Sequence, residues 1–232
     1  MILLALESAA SACSVAVCDG AGRVLGYRTG ARTALQADRL VELIDAALGI
    51  AGIAYRDADV IAVNHGPGSF TGVRAGVASA RALSLALVRP VIAVNSLEVL
   101  AVTIGAQATG TIVAAMDARR GQVYVQMFDH RLAPLDAPSA LAPEDVPLDT
   151  AKSPLRLVGT GAALLRAALR DAQPVVCESA EPNALGVARR ALARLAAGER
   201  PRAGRTIQPL YLRPPDARLP TPQMHASAAA GA

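Results

Sequence analysis

A cluster of glycine and hydroxyl residues follows an apolar segment in the first third of the chain, an arrangement that can bind an anion. This cluster, here termed the signature turn, is Gly66, Pro67, Gly68, Ser69, Phe70, Thr71, Gly72, Val73 and Arg74. It follows the strand-like segment 60–63, and Ser69 or Thr71 can cap the helix that comes next. A glycine turn before a helix N-terminus can hold an anion, although the spacing fits neither of the two familiar nucleotide-binding fingerprints. The turn is therefore either an anion site or a tight connection that binds nothing.

Other residue types that carry chemistry are scattered. The three histidines, His65, His130 and His225, form no H-x-x-x-H pair that would place two imidazoles on one helix face. Ser69 and Thr71 have only His65 as a base nearby in sequence, and no G-x-S-x-G elbow occurs. The sequence thus predicts neither a metal site nor a serine or threonine nucleophile.

Composition indicates a folded protein of the cytoplasm. The chain has 232 residues, 53% of them hydrophobic, enough for one domain or two small lobes with a large core. We find no apolar run of the roughly 18–20 residues that a membrane span needs, and no signal peptide is expected. Cys13, Cys18 and Cys177 lack metal-ligand spacing and suit a reducing compartment, with Cys13 and Cys177 predicted in the core.

The net charge of +4 is unevenly distributed. Residues 1–151 carry 11 basic and 14 acidic side chains, whereas residues 152–213 carry 11 basic and 4 acidic ones. The basic part is either a solvated arginine-rich helix face or a contact surface for RNA or an acidic partner. Only 3% of the residues are aromatic, which argues against a platform that stacks the bases of single-stranded nucleic acid.

Hydrophobic periodicity predicts a β-β-β-α-β-α-β-α order that the second half partly repeats, which indicates mixed α/β sheets. In the first half the predicted strands are 2–6, 14–18, 24–28, 60–63 and 91–94, and the predicted helices are 35–51, 71–87 and one capped by Ser96. In the second half they are a hairpin at 111–116 and 122–128, a helix start at 143–145, strand 156–158, helix 161–170, strand 175–177 and helix 183–197. Residues 214–232, rich in proline and alanine, are predicted to be a disordered tail.

The signature turn resembles the characteristic motif of the TsaB (YeaZ) family, proteins of the bacterial machinery that makes threonylcarbamoyladenosine in tRNA. Further segments match the family in order, and the resemblance extends over residues 1–213: they are 3–8, 12–17, 115–124, 158–161 and 209–213. The resemblance implies the actin/sugar-kinase/Hsp70-like (ASKHA) α/β fold, in which two related lobes each have a mixed sheet flanked by helices. The expected lobes are 1–105 and a smaller 106–213, followed by the tail at 214–232.

A non-catalytic role follows from the same resemblance. It implies a scaffold that pairs with TsaD and works with the ATPase TsaE to transfer threonylcarbamoyl to the adenosine beside the anticodon of tRNA. The chain would form a homodimer when alone and would meet tRNA through the complex. TsaD, the catalytic paralogue, holds a metal with an H-x-x-x-H pair that is missing here, so this chain is expected to need no metal or cofactor.

A vestige of a nucleotide site is the further implication. ATP-using members of the superfamily hold phosphate in the first hairpin beside a carboxylate, a place that Glu7 takes here, with Ser8 and Ser11 after it and Asp117 as the second acid. The loop has no lysine or glycine, which gives ATP or ADP binding little support. Glu7 is otherwise a hydrogen-bonded acid at a strand end, and Asp117 a turn residue paired with an arginine. A stand-alone ATP-dependent small-molecule kinase is the alternative function, and a generic RNA-binding protein is a third.

The partner contact is expected on helices 35–51 and 71–87, because the family pairs through helices of its first lobe. The second helix is rich in small residues, which permit close approach. The candidate contact residues are Leu40, Leu43, Ala47, Val73, Ala75, Ala78 and Ala82. Many relatives carry a histidine near the start of the first long helix, but residues 33–39 contain none, so a contact through that histidine is not expected.

Overall fold

Two five-stranded sheets form the framework of the chain in a computed structural model. The structure describes residues 1–31, 36–105, 109–148, 154–169, 176–178 and 180–213, of which 36–38 and 176–178 are described by their backbone alone. Several predictions fall outside these ranges: the helix start at Leu35, the helix end at Arg170, the strand start at Val175, the Cys177 side chain and the tail at 214–232. In the described ranges, no helix has the length and apolar character to cross a membrane.

The first sheet joins an antiparallel meander to parallel crossovers. Its strands are β1 (Ile2–Glu7), β2 (Ala12–Asp19), β3 (Val24–Ala31), β4 (Val60–Asn64) and β5 (Val91–Val94), and its helices are α1 (Gln36–Ala51), α2 (Phe70–Leu87) and α3 (Ser96–Ile104). The strand order is β3-β2-β1-β4-β5. Leu4 in β1 pairs antiparallel with Val17 and parallel with Ile61, so the first strand is at the centre of the sheet.

The second sheet repeats this plan. Its strands are β6 (Thr111–Arg119), β7 (Gln122–Phe128), β8 (Ser139–Leu141), β9 (Leu155–Val158) and β10 (Val176–Glu178). Helix α4 (Ala162–Ala168) lies between β9 and β10, and α5 (Ala184–Ala196) follows β10. The order is β10-β9-β6-β7-β8, and β6 pairs antiparallel with β7 and parallel with β9, as β1 does with β2 and β4. Short 3₁₀ helices lie at Tyr55–Asp57, Pro143–Asp145 and Gly204–Thr206. The predicted element order is confirmed, except that 143–145 is a 3₁₀ turn and β8 was not predicted.

Two helix starts show how capping residues set the boundaries. Helix α2 begins at Phe70 because the Ser69 hydroxyl accepts a bond from the Gly72 amide, so Ser69 rather than Thr71 is the cap. Helix α3 is capped by Asn95, and the prediction that Ser96 caps it is wrong. The Asn95 side chain accepts from the Glu98 amide at 2.8 Å while the Glu98 carboxylate accepts from the Asn95 amide at 3.0 Å, a reciprocal capping box.

The first sheet is covered by helices on both faces. Leu4 and Leu6 pack on the side of α1 and α2, whereas Leu3 and Ala5 pack on the side of α5. A strand buried on both faces reads as a continuous apolar run rather than an alternating one, which is the pattern of β1. Helix α5 therefore completes the first sheet although it follows the second sheet in sequence. The division into lobes at residue 105 stays a prediction. Helix α5 lies after that residue in sequence but packs on elements that lie before it.

Gly26 should tolerate no side chain. A β-carbon there would lie 2.1 Å from the Ala47 carbonyl oxygen of α1, so Gly26→Ala forces the helix away from β3. We expect the free energy of unfolding to fall by about 1–3 kcal/mol. The matched control is Gly49→Ala on the exposed side of α1, where no atom lies within 4 Å and alanine is favoured over glycine by about 1 kcal/mol. Urea unfolding followed by circular dichroism measures both, and equal stabilities of Gly26→Ala and wild type would contradict this packing.

Candidate functional site

The signature turn packs directly on the loop between β1 and β2. The Ser69 amide donates to the Ala9 carbonyl at 2.9 Å, and a β-carbon at Gly68 would lie 2.5 Å from that same oxygen. Gly66 has a φ of +106°, and a β-carbon there would lie 2.9 Å from the Leu210 carbonyl. Two glycines of the turn are thus required by close backbone approach, one to the first loop and one to the segment near residue 210.

Glu7, the candidate acid of the first strand, is fully buried beneath this turn. One carboxylate oxygen accepts the amides of Ala9 at 2.6 Å and Ala10 at 3.1 Å. The other accepts the side-chain amide of Asn64 at 2.5 Å. Burial raises the pKa of Glu7 to about 7, although these hydrogen bonds act in the opposite direction and the charge of Glu181 adds a smaller upward effect. The geometry therefore matches the interpretation of Glu7 as a hydrogen-bonded acid at the end of a strand.

Asn64 extends this network to the turn and to α3. Its side-chain nitrogen donates to the Ser96 hydroxyl at 2.8 Å, and its side-chain oxygen accepts the Gly66 amide at 3.0 Å. The Ser96 hydroxyl donates to the Pro67 carbonyl at 2.5 Å. Sequence reasoning missed Asn64 and misread Ser96 as a cap. A polar residue that ends the apolar run of β4 directly before the turn was the available signal.

Ser8 is buried, and its hydroxyl donates to the Gly72 carbonyl at 2.8 Å. A β-carbon at Gly76 would lie 2.5 Å from the same hydroxyl oxygen, so α2 lies almost on top of Ser8. Ser8 therefore anchors α2 to the first strand and faces no open space.

A cleft of about 420 Å³ lies between the first loop and the second sheet. Ser11 and Asp117 both line it, together with Ser69, Thr160 and Glu181. The Ser11 amide donates to Glu181 at 3.3 Å, and the Ser11 hydroxyl also contacts that carboxylate. The four candidate nucleotide-site residues are thus divided: Ser11 and Asp117 face the cleft, whereas Glu7 and Ser8 are sealed beneath it.

Asp117 stabilises its own hairpin turn. Its carboxylate accepts the Arg119 amide at 2.7 Å, and the Arg119 guanidinium lies 3.4 Å away with 86% of its side chain exposed. An exposed pair of this kind contributes about 0–1 kcal/mol. The geometry matches the turn-and-ion-pair interpretation of Asp117.

An exposed ring stack joins the signature turn to the end of the described chain. The Arg74 guanidinium lies 3.7 Å from the centre of the Phe70 ring, and its Nε donates to the Tyr211 hydroxyl at 2.9 Å. The Phe70 and Tyr211 rings are 5.6 Å apart. Arg74 and Tyr211 are 137 residues apart in sequence, and nothing local to either predicts that they meet.

The seven candidate partner-contact residues separate by burial. Leu40, Leu43, Ala47 and Val73 are at most 4% exposed and pack in the core of this chain, because they are the apolar stripe by which each helix covers the sheet. Those four side chains are therefore not available to a partner. Ala75 is half-buried, and Ala78 and Ala82 are exposed on α2.

Metal-ligating residues are dispersed in the part of the chain that the structure describes, where no three His, Cys, Asp or Glu side chains come close enough to share an ion. Cys13 and Cys18 are both buried, but on opposite faces of the first sheet. The His65 ring lies against the Gln208 carbonyl, with Nδ1 3.0 Å from that oxygen, and burial lowers the pKa of the imidazole. His65 thus links the turn to the segment before residue 210.

Glu7 should make the stability of the chain depend on pH. Because its folded pKa lies near 7 and its ordinary value is 4.5, the folded state binds the proton more tightly, and this stabilisation is lost as the pH rises through 7. Relative to Glu7→Gln, which stays neutral, wild type should lose about 3 kcal/mol of unfolding free energy between pH 4.5 and 8. Urea unfolding of both proteins across this range measures the difference, and parallel curves would show that Glu7 titrates normally.

The amino-acid sequence matches one protein-family model and several known proteins. A family model described as TsaD, tRNA N6-adenosine threonylcarbamoyltransferase, matches residues 33–217. An uncharacterized protein of Mycobacterium tuberculosis is 35% identical over 195 residues, which cover 84% of this chain and 83% of that protein. The tRNA threonylcarbamoyladenosine biosynthesis protein TsaB of Escherichia coli is 34% identical over 125 residues, 53% of each chain.

The solved structure of YeaZ from Pseudomonas aeruginosa superposes on this chain with a TM-score of 0.78 at 32% sequence identity, over 91% of this chain and 99% of that one. This likeness and the two related mixed sheets confirm the predicted actin/sugar-kinase/Hsp70-like fold. The sequence matches and the structural match agree with the resemblance carried by the signature turn. The chain therefore belongs to the TsaB (YeaZ) family of tRNA threonylcarbamoyladenosine biosynthesis.

Proposed function

We propose that this chain is a non-catalytic scaffold subunit of the complex that transfers threonylcarbamoyl to the adenosine beside the anticodon of tRNA. In this role it binds TsaD, works with TsaE in the cytoplasm, and forms a homodimer when alone. Membership of the TsaB family supports a part in this modification, and the match to the TsaD model supports kinship with the catalytic subunit. The scaffold role itself rests on the geometry of the first loop and of α2.

The observation that supports the non-catalytic role most directly is that the amides of the first loop bind a carboxylate of the same chain. Backbone amides in such a loop would have to point at a phosphate for phosphoryl transfer. Here the amides of Ala9 and Ala10 donate to the buried carboxylate of Glu7 instead. On the other side, the Ala9 carbonyl is covered by Gly68 and Ser69 of the signature turn. The acid that helps to position a metal in ATP-using members of the superfamily thus holds the loop closed in this chain.

This arrangement also weighs against the alternative of a stand-alone small-molecule kinase. A kinase of this superfamily needs an acid pair that faces the nucleotide across the cleft. Glu7 is fully buried, and Asp117 is occupied with the turn at Arg119. Only Asp117 faces the cleft, so the two acids do not form the facing pair that a kinase needs, and nothing specific favours the kinase.

The exposed face of α2 is the proposed subunit contact. Ala78 and Ala82 are exposed, and they are followed on the same helix by Leu85, whose side chain is 83% exposed. Helix α1 packs against α2 and exposes Val41 and Ile50. Exposed small and aliphatic residues along a helix are typical of a surface that another protein covers.

A charge on this face should weaken assembly without unfolding the chain. Ala78→Asp and Ala82→Asp each put a carboxylate on the exposed side of α2, where a closely packed partner would have to desolvate it. We expect at least a tenfold weaker association with the cognate TsaD, measured by size-exclusion chromatography with light scattering. Ala163→Asp, on the exposed side of α4, is the control for an added charge away from α2. If both α2 variants bind TsaD as tightly as wild type does, the proposed surface is wrong. If the wild-type chain does not bind TsaD, the subunit role is wrong.

Removal of the two candidate acids should leave the complex active. Glu7→Gln and Asp117→Asn change groups that hold the chain's own loop and turn, so the rate of tRNA modification by the assembled complex should stay within a few fold of wild type. Radiolabelled threonine incorporation into tRNA measures this rate, with assembly checked in the same sample. Complete loss of activity in an assembled complex would show that this chain supplies a catalytic carboxylate.

A further inference from the structure

The segment 199–206 carries exposed arginines on a firmly held backbone. We term it the arginine loop, after Arg200, Arg202 and Arg205. The backbone of Arg202 exchanges two hydrogen bonds with Val91 of β5, at 2.7 and 2.8 Å. The Gly204 amide donates to the Ser84 hydroxyl at 3.1 Å, and a β-carbon at Gly204 would lie 2.5 Å from the Ser84 side chain. The loop is therefore fixed to both the sheet and α2 while its guanidinium groups face outward.

Acidic side chains near this loop are already engaged by other arginines. The two oxygens of Glu199 each accept from Arg194 at 2.6 Å. Glu98 accepts from Arg190 at 2.8 Å and from Arg194 at 3.2 Å. Over the described ranges, no carboxylate lies within 4 Å of the guanidinium groups of the arginine loop, although Arg202 acts on Glu199 from farther away. The loop thus presents positive charge that the fold itself does not neutralise.

Two concave surfaces meet at this loop and share Arg202. One is a cavity of about 380 Å³ lined by three arginines, Arg194, Arg200 and Arg202, and by the carboxylates of Glu98 and Glu199 that Arg194 already pairs. The other is a groove of about 750 Å³ that Arg202 and Arg205 line together with Arg81 and Arg89 of α2 and its C-terminal turn. Cations around adjacent concave surfaces concentrate positive potential there and attract extended polyanions.

We propose that the arginine loop binds the phosphate backbone of tRNA. Each guanidinium can donate two parallel hydrogen bonds to one phosphate, and a fixed loop loses little conformational entropy when it does so. Such contacts position an RNA without reading its sequence, which suits a scaffold rather than a catalytic subunit. The inference rests on the proposed function, because a tRNA-modifying complex supplies the ligand. The scarcity of aromatic residues fits backbone contact rather than base stacking.

Position along α2 supports a role in the assembled complex. Leu85 and Val88 are 83% and 86% exposed and line the groove. They continue the proposed subunit contact on α2. A partner that covers this apolar surface would place the arginine loop at the margin of the interface. A tRNA bound to the partner could then reach the loop at the same time.

The test compares two triple variants that remove the same charge. The first is Arg200→Ala/Arg202→Ala/Arg205→Ala, and the matched control is Arg28→Ala/Arg131→Ala/Arg166→Ala, from exposed positions on other elements. Binding of a fluorescent, unmodified tRNA transcript is measured by anisotropy at several salt concentrations, with the chain alone and with the complex. Three lost phosphate contacts should reduce the slope of log K against log salt by about 2–3. The control should keep the wild-type slope.

Each other outcome has a defined meaning. Equal slopes for wild type and the loop variant, equal losses in both triple variants, or no tRNA binding by wild type in either form would overturn the inference. A loop variant that loses TsaD but keeps the wild-type tRNA slope would assign the loop to an acidic segment of a protein partner instead. Association of wild type with TsaD is scored separately, so failure of the RNA contact is distinguishable from failure of the subunit role.

Discussion

A single buried carboxyl group, Glu7, fixes the arrangement of the loops at the end of the first sheet. Burying a carboxyl group is costly unless its oxygens keep hydrogen-bond partners. Glu7 has such donors in the amides of Ala9 and Ala10 and the side chain of Asn64. Since Asn64 also accepts the Gly66 amide and donates to Ser96, the first loop, the signature turn and the start of α3 take their positions together. None of the three can move alone without leaving a buried polar group unpaired.

This constraint separates the chemistry of the interior from the contacts of the surface. Glu7 and Ser8, which resemble a nucleotide site in sequence, hold the first loop and α2 in place. The exposed side chains of α2 and of the arginine loop face solvent instead. Gly204 and Ser84 connect those two surfaces directly, because the loop packs on the last turns of α2. A partner on α2 and an RNA on the arginine loop would therefore contact two neighbouring segments that pack on each other.

Local patterns predicted the element order well, because strand and helix periodicity and the turn glycines act over a few residues. They could not predict contacts that depend on the whole fold. Arg74 and Tyr211 meet across 137 positions, and Asn95 rather than Ser96 caps α3 because Glu98 completes a capping box with it. The periodic apolar residues of α1, such as Leu40 and Leu43, are equally consistent with a core stripe and a partner contact, and only the sheet beneath them decides for the core.

The position of α5 has a consequence for how this chain is made. The face of the first sheet that carries Leu3 and Ala5 is closed by Val187 and Ala191, which the ribosome adds some 180 residues later. Until then, this face of the nascent first sheet lacks α5, and it is open to chaperones and to other nascent chains. The native core around the first strands therefore forms only after α5 (Ala184–Ala196) has been synthesised.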